Sequence, residues 1–278
     1  MPSARPACGR ATRSRGTTIS ARPVLTSAKR IVVKVGSSSI SGENSWRIAP
    51  LVLALAAAHR KGAEIVLVSS GAIATGMPFL ELESRPDELA TQQAAAAVGQ
   101  NVLMHRYQAA LDPYGIVAGQ VLLTANDMED LTHRENAQRA MERLLQLRIL
   151  PIVNENDTVA THEIRFGDND RLAALVARLI GAEVLVLLSD VDALYTKPPQ
   201  QPGAEQIPYV GIDDRLAGVE IGATTVNGVG TGGAVTKVSA ARHAAEAGIA
   251  VVLTSIDLVS QALDGASVGT YFEPAPQN

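Results

Sequence analysis

A lysine, Lys34, sits inside the apolar run "IVVKVG". An unpaired ammonium there would be costly to bury. Such a lysine lies on an edge strand with its charged end snorkelling to water, or it is held against a negative partner for a purpose. Lysines are scarce in this chain, and a second one, Lys237, closes the glycine-rich run "NGVGTGGAVTK". Between the two come Asp157 and the cluster Asp168, Asn169 and Asp170. The default role for one residue of that cluster is a helix N-cap, but a cap needs only one. Carboxylates without His or Cys beside them suit Mg²⁺ or the orientation of a lysine, and they do not suit zinc. "HEIRF" lacks the second His of a zinc protease helix, and Ser70 lies in no G-x-S-x-G elbow.

The glycine run contains G-x-G-x-x-G at Gly228, Gly230 and Gly233. A dinucleotide fingerprint needs a preceding strand and a place early in a βαβ unit. Here "GVEIGATTVN" is a poor strand, and the run lies late in the chain. A P-loop needs Gly directly before Lys, and here Thr236 stands there. What remains is a glycine loop ending in a lysine at the first turn of a helix, suited to covering a polyphosphate.

These residues need a scaffold. Short β-branched runs alternate with helical patterns of about 10–18 residues, which predicts a mostly parallel sheet covered by helices on both sides. "RIVVKVG", "AEIVLVSSG", "IVAGQVLLT", "ILPIVNEND", "EVLVLLSDVDALY" and "IAVVLTS" read as strands, with "TVATHEIRFG" as an irregular or hairpin insertion. Asp130 or Thr132 caps the helix that follows the third strand. One domain is expected, with room for two lobes meeting near residues 170–185. In open α/β sheets ligands gather at the carboxyl ends of strands, so the exits at 34–39, 69–76, 154–160 and 189–195 carry most interest. Gly36 with Ser37 to Ser39, and Ser69-Ser70-Gly71-Ala72, are turns whose backbone N–H groups suit anionic oxygens. Each alone is a plain strand-to-helix connection. Two in one sheet, with the glycine loop, point to phosphate chemistry.

Composition bounds the rest. The chain has 278 residues, 46% of them hydrophobic but only 3% aromatic, so the core is aliphatic. No apolar run is long enough to cross a bilayer, and a net charge of -4 favours no nucleic-acid partner. The single cysteine, Cys8, fits a reducing compartment and a cytoplasmic location. Residues 1–28 are rich in Arg, Ser, Thr and Pro and carry no acid. They read as a disordered tail or a start placed too early, in preference to an organelle transit peptide.

Lys34-Val-Gly-Ser, Ser70-Gly-Ala, "NENDTVA", "GDND", "SDVDALY" and "GTGGAVTK", in this order, resemble the glutamate 5-kinases of the amino acid kinase superfamily. The resemblance covers residues 29–273, leaving 274–278 as a tail. It implies a three-layer α/β/α sandwich with a mainly parallel sheet of about eight strands. It further implies transfer of the ATP γ-phosphoryl group to the γ-carboxylate of L-glutamate, the first step of proline biosynthesis, with ATP and Mg²⁺ as cofactors. Carried over position by position, the resemblance puts Lys34 on the transferring phosphoryl group. Ser70, Gly71, Asp157 and Asn169 hold glutamate, and Asp170 orients the two lysines. Gly36, Ser189 and Asp190 meet the nucleotide. Thr231, Gly232, Gly233, Ala234, Val235, Thr236 and Lys237 close over the phosphates, with Lys237 at the reaction centre. Glu163 falls where the family senses proline. No side chain is expected to ligate the metal directly. A homo-oligomer, dimer or tetramer, and a downstream glutamyl phosphate reductase are the implied partners.

Two departures stand out. Many relatives read Gly-Gly-Met-x-Thr-Lys, where this chain has Ala234-Val235 in the middle, and many carry a C-terminal PUA domain for which this sequence has no room. The chemistry agrees with the resemblance. A carboxylate acceptor is already ionised at neutral pH, so no general base is required. The difficulty is bringing two anions together, and cations with fixed N–H donors answer it. The competing readings are another amino acid kinase, acting on N-acetylglutamate, carbamate or a nucleoside monophosphate, and a non-catalytic sensor on the same fold.

Overall fold

The computed structural model describes residues 23–160, 169–220 and 233–276. Glu163, Asp168, Thr231, Gly232 and most of the segment 158–167 therefore lie outside the described residues. In chain order the elements are α1 (Pro23–Ser27), β1 (Arg30–Val35), α2 (Ile48–Arg60), β2 (Glu64–Ser69), α3 (Ala72–Gly76), α4 (Leu89–Leu111) and β3 (Ala118–Leu123). There follow α5 (Ala125–Glu129), α6 (Leu131–Gln146), β4 (Leu150–Glu155), α7 (Asn169–Leu179), β5 (Val184–Ser189) and the short strands β6 (Leu194–Tyr195), β7 (Gln206–Ile207) and β8 (Tyr209–Val210). The chain closes with α8 (Ala234–Glu246), β9 (Ala250–Ser255), α9 (Val259–Leu263) and β10 (Thr270–Phe272).

Eight strands form one sheet in the order β3-β4-β2-β1-β5-β9-β10-β8, and β6 and β7 make a separate hairpin. The pairs from β3 to β9 are parallel, and β10 runs antiparallel to β9. The runs read as strands from their β-branched content are these strands: β1, β2, β4, β5 and β9 are buried on both faces, as interior parallel strands are, while β3 at the sheet edge is partly exposed. The short helices α3 and α5, which follow the exits of β2 and β3, lacked the length to show a helical period in the sequence. Asp130 does cap α6, its carboxylate accepting from His133 N at 2.8 Å.

Alternation along β1 divides the core. Ile31, Val33 and Val35 pack toward α2, α4 and α9, while Val32 packs toward α6, α7 and α8. Lys34 shares the parity of Val32 and so faces α7. The order of strands also fixes where a ligand can enter. From β1 the chain builds β2, then β3 at the edge, then β4 between them, all on one side, and returns through α7 to β5 on the other side of β1. The seam between β1 and β5 is the topological switch point, where open α/β sheets take their ligands at the carboxyl ends of the strands.

Candidate active site

Lys34 lies on a central strand, between Val68 of β2 and Leu187 of β5, and is only 3% exposed. It is neither an edge lysine nor a snorkelling one. Its Nζ stands 2.5 Å from Asp170 Oδ1, and Lys237 Nζ stands 2.9 Å from Asp170 Oδ2. Asp170 is fully buried and Lys237 is 8% exposed. Burial alone would raise the Asp170 pKa, but the two ammonium groups outweigh it and hold the carboxyl far below the usual carboxylate range. Asp170 is in the first turn of α7 and Lys237 in the first turn of α8, so two helix N-termini also converge on this centre. One negative and two positive charges leave a net +1 in a buried setting. Such a centre is poised to take an anion, because a further negative group relieves its unbalanced charge.

The space above Lys34 is left open by Gly36. A Cβ at this position would lie 3.8 Å from Lys34 Nζ and start a side chain over the ammonium. Ser38 and Ser39 donate to the exposed Asp190 carboxylate at 3.0 and 3.1 Å, tying the exit of β1 to that of β5 beside Ser189. Neither serine's partner was evident from the sequence, because the two exits are far apart along the chain. Gly233 precedes α8. Thr236 Oγ1 lies 2.9 Å from Gly233 O and 3.4 Å from Asp170 Oδ2, its single hydrogen serving one at a time. Ala234 is partly buried and Val235 is half exposed.

On the other side of Asp170 lies a neutral polar surface. Asn169 Nδ2 stands 3.0 Å from Ser69 O, 2.9 Å from Ser70 Oγ and 2.7 Å from Asn154 Oδ1. Asn169 and Asp170 thus both point across to the sheet, and neither serves as a cap for α7. Gly71 follows in the left-handed region at φ 100°, and a Cβ there would meet Ser41 Oγ at 2.8 Å. Asp157 is half-buried in the turn after β4. The structure therefore brings Lys34, Asp170 and Lys237 together, with Gly36 above and Ser70 and Asn169 alongside. Asn154, Gln100 and Tyr107 were missed as participants. Their signal was present: Ala96, Gln100, Leu103 and Tyr107 are one buried stripe of α4, with a polar Gln inside it.

Among the described residues no three His, Cys, Asp or Glu side chains gather as a metal cage. The described residues fit a divalent ion as Mg²⁺ carried largely by phosphate oxygens, its common mode beside nucleotides. No helix among the described residues is long and apolar enough to cross a membrane.

Comparison with known proteins agrees with this geometry. Residues 29–255 match the amino acid kinase family. The glutamate 5-kinase of Leifsonia xyli subsp. xyli is 72% identical over 94% of this chain and 96% of its own length. That of Clavibacter sepedonicus is 73% identical over 91% and 97%. That of Salinispora arenicola is 56% identical over 92% of this chain and 70% of its own length. Among solved structures, the carbamate kinase from Giardia lamblia bound to AMP-PNP matches with a TM-score of 0.65 at 16% identity, covering 90% of this chain and 100% of that one. UMP kinase from Bacillus anthracis matches with a TM-score of 0.60 at 13% identity, covering 90% and 97%. At such identities these two establish the fold alone.

Proposed function

We propose, from the premise that this chain belongs to the amino acid kinase family and to the glutamate 5-kinases within it, that it transfers the γ-phosphoryl group of ATP to the γ-carboxylate of L-glutamate. The observation that carries the reading is the buried Lys34–Asp170–Lys237 centre at the switch point of the sheet. In the reaction a γ-carboxylate oxygen forms a bond to the γ-phosphorus, and the bond from that phosphorus to the β,γ-bridging oxygen breaks. ADP leaves and an acyl phosphate remains. No proton need move at neutral pH, since the acceptor is already ionised.

Each residue has a role in overcoming repulsion between the two substrates. Lys34 and Lys237 neutralise charge on the γ-phosphoryl oxygens, and Asp170 holds both ammonium groups in register. Ser70, Gly71, Asn169 and Asp157 form the amino-acid side of the site. Gly36 lets the nucleotide approach Lys34, Ser189 and Asp190 line the nucleotide side, and the run from Thr231 to Lys237 binds the nucleotide phosphates by its match to the family's motif. Mg²⁺ bound with the nucleotide supplies further charge neutralisation. Glu163 senses proline, the role implied by its match to the family's sequence position. Residues 29–273 form the catalytic unit, and the cytoplasm is its proposed location.

Trapping of the acyl phosphate by hydroxylamine tests the reading. With ATP, Mg²⁺ and L-glutamate the expected product is a γ-glutamyl hydroxamate. Hydroxamate from N-acetylglutamate and none from L-glutamate would overturn it.

A further inference from the structure

Gln100 lies on α4, outside the residues just assigned, and is 8% exposed. Its Oε1 accepts from Asn154 Nδ2 at 2.8 Å. With its NH₂ committed there, Asn154 turns its Oδ1 the other way, where it accepts from Glu155 N at 2.8 Å and from Asn169 Nδ2 at 2.7 Å. A flipped Asn154 would set its NH₂ against two donors, so only one sense of the network is consistent. The sense propagates. The two hydrogens of the Asn169 NH₂ are shared among three acceptors, Asn154 Oδ1, Ser69 O and Ser70 Oγ. Asn169 is left with Oδ1, an acceptor, as its uncommitted atom. Ser70 Oγ is itself an acceptor in this network, so its own hydrogen remains to be donated.

We infer that Gln100 is a positioning residue that, together with the backbone N–H of Glu155, holds Asn154 in place and so maintains the donor and acceptor polarity of the amino-acid site. The surface then offers a hydroxyl donor for a carboxylate and an amide acceptor for a free α-ammonium group. This is the pattern of an unmodified amino acid, and it disfavours an N-acylated one, whose nitrogen keeps a single hydrogen and no charge. The inference rests on the proposed function and deepens it.

A second observation separates this role from a merely structural one. Gln100 Nε2 is buried and has no hydrogen-bond partner. Native interiors rarely leave such a donor unmet. Gln100→Leu would strand the NH₂ of Asn154, 2% exposed, in place of that of Gln100, so the number of stranded buried amide groups stays the same. Stability should therefore change little, and the loss should appear in substrate binding.

The test is steady-state kinetics by hydroxamate formation, with thermal melts of the same proteins. For Gln100→Leu the expected result is a KM for L-glutamate raised about tenfold or more, the size of one misplaced polar contact. The KM for ATP should stay within about twofold, and the preference for L-glutamate over N-acetylglutamate should narrow. Gln100→Glu keeps an oxygen facing Asn154 Nδ2 and should recover most of the loss. An unchanged KM for L-glutamate in Gln100→Leu, beside an active wild type, overturns this inference alone. So does a parallel loss of stability and of affinity for both substrates. A wild type that forms no hydroxamate from L-glutamate overturns the proposed function with it.

Discussion

Asp170→Asn probes the centre most directly. The change is nearly isosteric and removes one charge, taking the buried centre from net +1 to net +2. In the wild type each carboxylate oxygen serves one lysine, at 2.5 and 2.9 Å. An amide can offer its oxygen to only one of them, and its NH₂ then opposes the other ammonium. Breaking a buried ion pair by removing one partner costs about 3–5 kcal/mol. Both ammonium groups are affected here, so the upper part of that range is expected in urea unfolding at pH 7. For a domain of this size this is a fall in Tm on the order of 10 °C. Turnover should fall by a factor on the order of 10²–10³, as for loss of a preorganised electrostatic group.

The pH dependence gives the sharper check. The wild-type Asp170 carboxyl is held far below its unfolded value, so its stabilisation is fully present above a pH of about 3.9 and is lost as the pH falls through the folded value. The variant lacks this carboxyl and so has no such acid-side loss. The gap between variant and wild type should narrow as the pH falls from about 3.9 toward the folded value of the Asp170 carboxyl. A gap below about 1 kcal/mol at pH 7, or one that stays flat with pH, would refute the buried charge balance derived from the geometry.

Other changes separate the parts of the site. Lys237→Met leaves the Lys34–Asp170 pair intact, so turnover should drop by about 3–4 kcal/mol of transition-state stabilisation while urea unfolding shifts much less than for Asp170→Asn. Gly99→Ala should be far more damaging than its size suggests. A Cβ at this position would fall 1.8 Å from Ala72 O and 2.5 Å from Gly76 N. Helices α3 and α4 must then separate, with a loss of about 3 kcal/mol or less expected from such overpacking and reduced affinity for glutamate from displacement of the Ser70–Gly71 turn. Tyr107→Phe removes a buried contact of 2.8 Å to Ser69 Oγ, and calorimetry should register a loss of about 1 kcal/mol.

The sequence by itself determined the alternation of strands and helices, and with it the layered architecture. Strands such as β1 and β5 carry that information locally, in β-branched runs bounded by turn residues. It also marked Lys34 and Lys237 as anomalies, because an ammonium in an apolar run or at the end of a glycine loop needs a reason that a single segment cannot supply. One residue of the cluster Asp168, Asn169 and Asp170 read locally as a helix cap, and only the fold turned Asn169 and Asp170 toward the sheet. The pairing of Lys34 with Asp170 depends on strand order: β1 must lie between β2 and β5, and α7 must cross that seam, before parity puts Lys34 under the start of α7. The same holds for Ser38 with Asp190, and for Gln100 with Asn154. A hydrogen bond needs its partners within about 3 Å and in the right sense. Distance and sense between residues far apart in the chain are set by packing, so tertiary structure alone decided which polar residues share the site and which way each one faces.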